Sequence, residues 1–301
     1  MPRTALAISI LLSLAAALRG QAPVLSKEYI RLGDRIFATE NQIALTPANI
    51  SAGGSGVTIT CCVVAAADFN RDGVPDLVWQ NPSTGAAQIW YMGGSGGATI
   101  TGYANVSTGN SWHIVGAADF NADGAPDLVW QNPSNGTAQI WYMGGSTGAT
   151  FLSAADVSTG NSWRIVTAVK FPTTGSNAYL VWEDPVAGAV QFWYESTSQS
   201  SPQLLSAVAV SGSTPWRIVA GADFNGDGIP DAVWQNPSTG AVEIWLMGGS
   251  QGATYVSTAQ VTESNSWRVV AAADFNGNGV ADLLFENTSS GALQIWYMNA
   301  Q

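Results

Sequence analysis

Short apolar runs rich in Val, Ile, Trp and Tyr recur along this chain, each bounded by clusters of Gly, Pro, Asn and Ser. Bulky, stiff residues punctuated by turn formers predict β-strands, and beyond the N-terminal leader no stretch sustains a helical period. One unit illustrates the rest. Trp112–Ala118 reads as a first strand, Asp127–Gln131 as a second, Ala138–Met143 as a third and Ala149–Val157 as a fourth, with a turn at Pro133–Gly136. The order returns at a fixed period: Asp68 to Asp119 is 51 residues, Asp223 to Asp274 is 51 again, and Lys170 stands 51 after Asp119 in the interval between. Three aromatic series keep the same spacing. They are Trp79, Trp130, Trp182, Trp234 and Phe285; Trp90, Trp141, Trp193, Trp245 and Trp296; and Trp112, Trp163, Trp216 and Trp267, with Cys61 in the first slot.

Five repeated units of four strands predict an all-β fold, a β-propeller of five four-stranded blades. The first strands end in Ala65-Ala66-Ala67, Gly116-Ala117-Ala118, Ala220-Gly221-Ala222 and Ala271-Ala272-Ala273, small residues that suit strands crowding about an axis. The tryptophans then fill the wider gaps between blades as core. The fifth unit ends at Met298–Gln301 without a fourth strand, while Ile43–Ile50 resembles the fourth strand Thr99–Val106. Residues 43–50 are therefore expected to complete the last blade and latch the ring, covering a sheet edge. The competing picture is an arc of a larger ring completed by a second chain. The expected division is a signal peptide over 1–22, an N-terminal segment over 23–42 with Gly33-Asp34 as a hairpin turn, and the propeller over 43–301.

Between first and second strands an acidic phrase returns four times, D-x-N-x-(D/N)-G-x-x-D, beginning at Asp68, Asp119, Asp223 and Asp274. Oxygen donors at alternate positions around a Gly turn are what a hard cation such as calcium requires. A tight polar turn with no metal is the bland alternative for any single copy. The loops are not EF-hands, because the twelfth position holds Trp79, Trp130, Trp234 or Phe285 rather than a Glu.

With its flanking strands, as in Trp216–Trp234 followed by Thr239-Gly240 and Ile244-Trp245, the phrase resembles the FG-GAP/VCBS repeat family, which also builds the integrin α-subunit propeller. The resemblance covers about residues 57–298 and implies an extracellular calcium-loop propeller used in adhesion or glycan binding, or attached to enzymes. Better-known members have six or more blades, so five units depart from the pattern. The resemblance implies ligands at positions one, three, five and nine and the carbonyl of position seven. In this chain these are Asp68, Asn70, Asp72, Val74 and Asp76; Asp119, Asn121, Asp123, Ala125 and Asp127; Asp223, Asn225, Asp227, Ile229 and Asp231; and Asp274, Asn276, Asn278, Val280 and Asp282. Up to four calcium ions are expected, the fifth-unit site being weakest because Asn278 replaces a carboxylate. The third unit has Lys170, Pro172 and Tyr179 where Asp, Asn and Asp belong, so no metal is expected there; Lys170 is a candidate to put its fixed charge where the cation would sit.

The leader carries Arg3, an apolar run from Ala5 to Leu18 and the small residues Gly20 and Ala22, the outline of a secretory signal peptide rather than a spanning helix. No other run is long enough to span a membrane, and a secreted or cell-envelope location is expected. The formal net charge is −11, but 11 of the 21 acids sit in the four loops, so the acidity mostly counts metal sites. The 10 Lys and Arg do not cluster, which excludes a nucleic-acid partner. The two adjacent cysteines read as small buried residues, with a vicinal disulfide as the lesser alternative. No catalytic constellation is found: His113 is the one histidine and no nucleophile elbow or phosphate loop occurs. The leading reading is a secreted calcium-binding module for a glycan or an extracellular protein ligand, with Trp79-Gln80-Asn81 and Trp234-Gln235-Asn236 as candidate display residues. A calcium-dependent polysaccharide-degrading enzyme and a structural envelope module are the alternatives.

Overall fold

The computed structural model describes residues 29–32, 35–39 and 62–299, apart from 108, 110, 159–161, 171–177, 196–203, 211–214, 250–251 and 262–265. The chain is a five-bladed β-propeller. A separate hairpin, β1 (Tyr29–Leu32) with β2 (Arg35–Thr39), precedes it and pairs Leu32 with Arg35. Blade 1 runs β3 (Val63–Ala67), β4 (Asp76–Gln80), β5 (Ala87–Gly93) and β6 (Thr99–Ser107); blade 2 runs β7 (His113–Ala118), β8 (Asp127–Gln131), β9 (Ala138–Gly144) and β10 (Thr150–Ser158). Blade 3 runs β11 (Arg164–Lys170), β12 (Ala178–Glu183), β13 (Val190–Glu195) and β14 (Leu204–Val210); blade 4 runs β15 (Arg217–Ala222), β16 (Asp231–Gln235), β17 (Val242–Gly248) and β18 (Thr254–Val261). Blade 5 shows three strands among the described residues, β19 (Trp267–Ala273), β20 (Asp282–Asn287) and β21 (Leu293–Trp296). The latch expected at 43–50 lies outside the described residues, as do the leader and Cys61.

Each blade is a meander because its sequence supplies the turns. Asn81, Asn132, Asp184, Asn236 and Asn287 accept, through a side-chain oxygen, the backbone N–H two residues on, at 2.8–3.0 Å, which closes the turn between second and third strands. Every first strand also carries a bulge at the same place, between Val63 and Ala65 in blade 1 and between Ile114 and Gly116 in blade 2. A bulge bends a strand and sharpens its twist, which turns the strand end toward the loop that follows.

The first strands line a narrow axial channel walled by small side chains, among them Ala65, Ala117, Ala168, Ala220 and Ala271. Close approach is required: a Cβ on Gly116 would come within 2.6 Å of the Ala168 nitrogen. Second strands are buried on both faces, since each lies in a blade covered on either side by a neighbour. The core is thus five inter-blade clusters, with Trp130 between blades 1 and 2, Trp182 between 2 and 3, Trp234 between 3 and 4, Phe285 between 4 and 5 and Trp79 between 5 and 1. The last of these closes the ring within one chain. It joins Leu77 and Met92 of blade 1 to Phe275, Leu284 and Tyr297 of blade 5, and Tyr297 Oη donates to the Gly96 carbonyl at 2.7 Å. The picture of an arc completed by a second chain is therefore set aside.

Two further expectations are corrected. Gln80 and Gln235 are not displayed; they are buried and hold neighbouring blades together. Gln80 Nε2 donates to the Trp112 carbonyl at 2.8 Å while its Oε1 accepts from Ile114 N–H at 2.8 Å. Gln131 bonds Trp163 and Ile165, and Gln235 bonds Trp267 and Val269, in the same way. A primary amide can do this because it both donates and accepts. The flanking Asn81 and Asn236 are consumed in the turns just described, and Trp79 and Trp234 are core. Cys62, expected as a thiol, is disulfide-bonded, and the chain's other cysteine is its neighbour Cys61. Arg268 Nη2 lies 3.3 Å from Cys62 Sγ.

Truncating a staple leaves a buried carbonyl and a buried N–H unpaired, at about 1–3 kcal/mol for each such group. Gln235→Ala is accordingly expected to lower stability by about 2–4 kcal/mol in urea unfolding, against little change for Ser238→Ala in the exposed turn. Equal midpoints would refute the staple.

Candidate metal centre

The four acidic phrases form closely similar loops between first and second strands. Position one receives the N–H of the position-six glycine: Gly73 to Asp68 at 2.9 Å, Gly124 to Asp119 at 3.1 Å, Gly228 to Asp223 at 2.8 Å and Gly279 to Asp274 at 2.7 Å. Position three receives the N–H of position five on Asn70, Asn121, Asn225 and Asn276, at 2.9–3.0 Å. Position five receives the N–H of position seven on Asp72, Asp123, Asp227 and Asn278, at 2.8–2.9 Å. This winding needs left-handed backbone at position six, where Gly73 has φ 87°, and at position four, where Arg71 has φ 62° and Gly226 φ 74°.

Position nine anchors the loop to the blade. Asp76 Oδ2 accepts from Phe69 N–H at 2.9 Å and its Oδ1 from Met92 N–H at 2.9 Å, so one carboxylate joins the loop, the second strand and the third. Asp127 does so with Phe120 and Met143, Asp231 with Phe224 and Met247, and Asp282 with Phe275 and Met298. These four carboxylates are buried. Burial, only partly offset by the N–H bonds, raises Asp76 to about 6 and Asp127, Asp231 and Asp282 to about 7.

The donor set fits a hard cation. An oxygen that accepts one N–H keeps a second lone pair, so the loops of blades 1, 2 and 4 keep acceptor capacity at positions one, three, five and nine, whereas both oxygens of Asp282 in blade 5 already accept two bonds. Among the described residues no group of three or more His, Cys, Asp or Glu side chains is gathered as a metal cluster; the loops offer a mixed carboxylate and amide set instead. The fifth-blade loop is the poorest. Asn278 Nδ2 donates to the Met298 carbonyl at 2.7 Å, so its nitrogen stands where the other loops have a second carboxylate oxygen, and Asn276 Nδ2 turns to Asp282 at 3.2 Å.

Blade 3 departs, as its sequence indicates: Tyr179 is buried at the ninth position and Pro172 lies outside the described residues. Lys170 pairs across the seam. Its Nζ reaches back one blade to Asp119 Oδ2 at 2.9 Å. Glu183 is fully buried and pairs with Arg164 and, at 3.7 Å, with Arg217 Nε; it stands at the staple position held by Gln in blades 1, 2 and 4. His113 lines a cleft of about 590 Å³ between blades 2 and 3, with Trp163, Arg164, Asn132 and Asn135. The cleft lies at the starts of the first strands, the end opposite the acidic loops. No sequence signal singled it out, because its lining comes from segments far apart in the chain.

Fold and loops together define a β-propeller of acidic-loop repeats. The chain carries FG-GAP-like repeats: the model of that repeat matches residues 68–130 and 223–285, each match running from one acidic loop into the next blade, and neither includes blade 3. Phosphatidylinositol-glycan-specific phospholipase D of Bos taurus is 34% identical over 103 residues, which is 28% of this chain and 12% of that protein. Its Homo sapiens counterpart is 37% identical over 82 residues, 23% of this chain and 10% of that protein. The chain thus spans about a tenth of the length of these curated relatives. Among solved structures, the exo-β-1,3-galactanase of Phanerochaete chrysosporium with galactose superposes with a TM-score of 0.55 at 9% identity, over 86% of this chain and 64% of that one. Identity that low speaks to the fold alone. No helix among the described residues is long and apolar enough to cross a membrane.

The raised carboxylates carry a pH signature in metal-free protein. Asp127, Asp231 and Asp282 hold a proton in the fold up to about pH 7, but release it near the ordinary aspartate value of 3.8 once unfolded. Their contribution is complete below the unfolded value and is lost as pH rises through the folded one. Urea midpoints of protein freed of divalent ions are expected to be higher at pH 5.5 than at pH 7.5; a midpoint that rises with pH would contradict the assignment.

Proposed function

We propose that the chain is a secreted, calcium-stabilised binding module whose ligand is a glycan or an extracellular protein. The observation that carries the calcium reading is the repetition of one loop geometry in four blades, each with oxygen donors at positions one, three, five and nine around a left-handed glycine. In this reading Asp68, Asn70, Asp72 and Asp76, with their counterparts in blades 2, 4 and 5, are the candidate ion donors, joined by the carbonyls of Val74, Ala125, Ile229 and Val280; Lys170 beside the blade 2 loop bears on how far that loop fills. The ion supplies positive charge to carboxylates that burial disfavours, which makes its role structural. FG-GAP-like repeats support a module of binding or adhesion.

The cleft between blades 2 and 3 supports a ligand face. Trp163 offers an aromatic surface and Arg164 and His113 offer donors, while the oxygens of Asn132 and Asn135 are held in their own turn and leave only amide N–H groups, a combination suited to stacking on a sugar ring and donating to its hydroxyls. The phospholipase D and galactanase activities belong to the proteins so named; this chain has no catalytic constellation we can assign.

Calcium at ten times its dissociation constant stabilises by about 1.4 kcal/mol per site, so several filled sites move the whole fold. A chelator is expected to lower Tm by about 10 °C or more, with recovery on adding calcium. An unchanged melt would overturn the calcium reading. A glycan array probed in calcium, with His113→Ala and Asn135→Ala as cleft variants, tests the ligand. Binding lost in both variants supports the cleft, and no binding to any glycan removes glycans in favour of a protein ligand.

A further inference from the structure

We propose that Lys170 is a tethered cation that occupies the blade 2 loop, so that this loop takes a divalent ion only when Lys170 is removed. The inference rests on the calcium reading of the loops. Lys170 holds position one of the third repeat, where the other four units have Asp68, Asp119, Asp223 and Asp274. Neighbouring first strands β7 and β11 bring the first positions of adjacent units together. In blades 2 and 3 this juxtaposes a carboxylate and an ammonium, with Nζ 2.9 Å from Asp119 Oδ2.

Asp119 differs from its counterparts in three ways that follow from this contact. It is buried, at 6% exposure, whereas Asp68, Asp223 and Asp274 are half-buried. Its carboxylate is less saturated by its own loop. Asp68 accepts N–H bonds from Asp72 and Gly73, Asp223 from Asn225, Gly226 and Gly228, and Asp274 from Gly277, Asn278 and Gly279. Asp119 accepts one loop N–H, from Gly124, and the Lys170 ammonium, both on Oδ2. Its Oδ1 is buried and has no hydrogen-bond partner. A buried carboxylate oxygen without a partner is costly, and here it faces a loop whose positions three, five and nine are Asn121, Asp123 and Asp127. The blade 2 loop therefore keeps a full donor set beside a cation the chain itself provides.

An ammonium 2.9 Å from the carboxylate that must bind the ion repels a dication by direct Coulomb interaction, an effect that its half-exposure to solvent weakens but that the buried Asp119 side preserves. The same contact ties blade 2 to blade 3. In chelator the seam between those blades keeps its positive charge, while the loops of blades 1, 4 and 5 lose theirs.

The test is a calcium count on the full chain by isothermal titration, paired with melting in chelator, for wild type and Lys170→Met, which keeps the aliphatic stem. Lys170→Arg serves as the charge-retaining control. The expected result is three ions in wild type and in Lys170→Arg, and four in Lys170→Met. In chelator, Lys170→Met should melt about 2–4 °C below wild type, and saturating calcium should narrow that gap. Equal, non-zero counts in wild type and Lys170→Met would overturn this proposal and leave the calcium reading standing. Zero in both would overturn the calcium reading and this proposal with it. If Lys170→Met does not fold, a wild-type count of four overturns the proposal and a count of three, with Asp119→Asn leaving it at three, supports it.

Discussion

One buried carboxylate per blade organises this fold. In blades 1, 2, 4 and 5 the ninth-position Asp accepts backbone N–H groups from the start of its loop and from the far end of the third strand, at 2.7–3.0 Å. A propeller blade has no helix to tie its strands together, so the link between first, second and third strands must come from the turns. A charged acceptor is the strongest such link, since hydrogen bonds to ionised groups are shorter and about twice as strong as neutral ones. It is also a liability, because burial works against the ionised form, as the raised values of these four groups record. A nearby cation relieves that tension, which is why the anchor and the metal reading belong to one argument.

Blade 3 solves the same problem with different chemistry. Tyr179 fills the anchor position, Glu183 replaces the amide staple, and Lys170 replaces the first loop carboxylate. A carboxylate cannot donate to the Trp216 carbonyl as a Gln would, so Glu183 takes the guanidinium groups of Arg164 and Arg217 instead. A buried ion pair stabilises only when its geometry is complete; here Arg164 bonds Glu183 Oε2, while Arg217 Nε stands 3.7 Å from Oε1, which accepts no hydrogen bond. The seam between blades 2 and 3 thus adds the Lys170–Asp119 pair to its Gln131 amide, the seam between blades 3 and 4 carries Glu183 and Arg217, and blade 5 likewise has an ion pair, Arg268–Glu286, at its staple position.

Much of the fold was legible because period, turn chemistry and small-residue strands each point to one architecture. The fixed spacing located every blade, and the Asp, Asn and Gly positions of the loops were readable one by one. The amides were misread for a physical reason: a Gln after a buried Trp has the same letter whether it faces solvent or a neighbouring backbone. Only inter-blade geometry decides, and the deciding partners lie 32 and 34 residues away. The target of Lys170 was equally hidden, since the sequence assigns it to its own loop whereas the ring brings it to the previous one. Cys62 fell to a rule about strand neighbours facing opposite ways, and Cys62 itself lies just before the first strand, which begins at Val63.

The seam between blades 2 and 3 joins the two candidate functional features. At one end stands the Lys170–Asp119 contact, at the other the cleft bearing His113, Trp163 and Arg164. The Gln131 staple lies at the cleft end and bonds the backbone of Trp163 and Ile165 directly, so it positions the cleft wall. Both fixings are made by groups belonging to the chain, with no ion drawn from solution. On the proposed reading, calcium would set the rigidity of the remaining seams while the walls of this cleft keep their spacing. A ligand face built there is therefore less exposed to fluctuations in metal concentration than one built over any of the four acidic loops, and the one blade that abandons the acidic phrase forms one wall of this cleft.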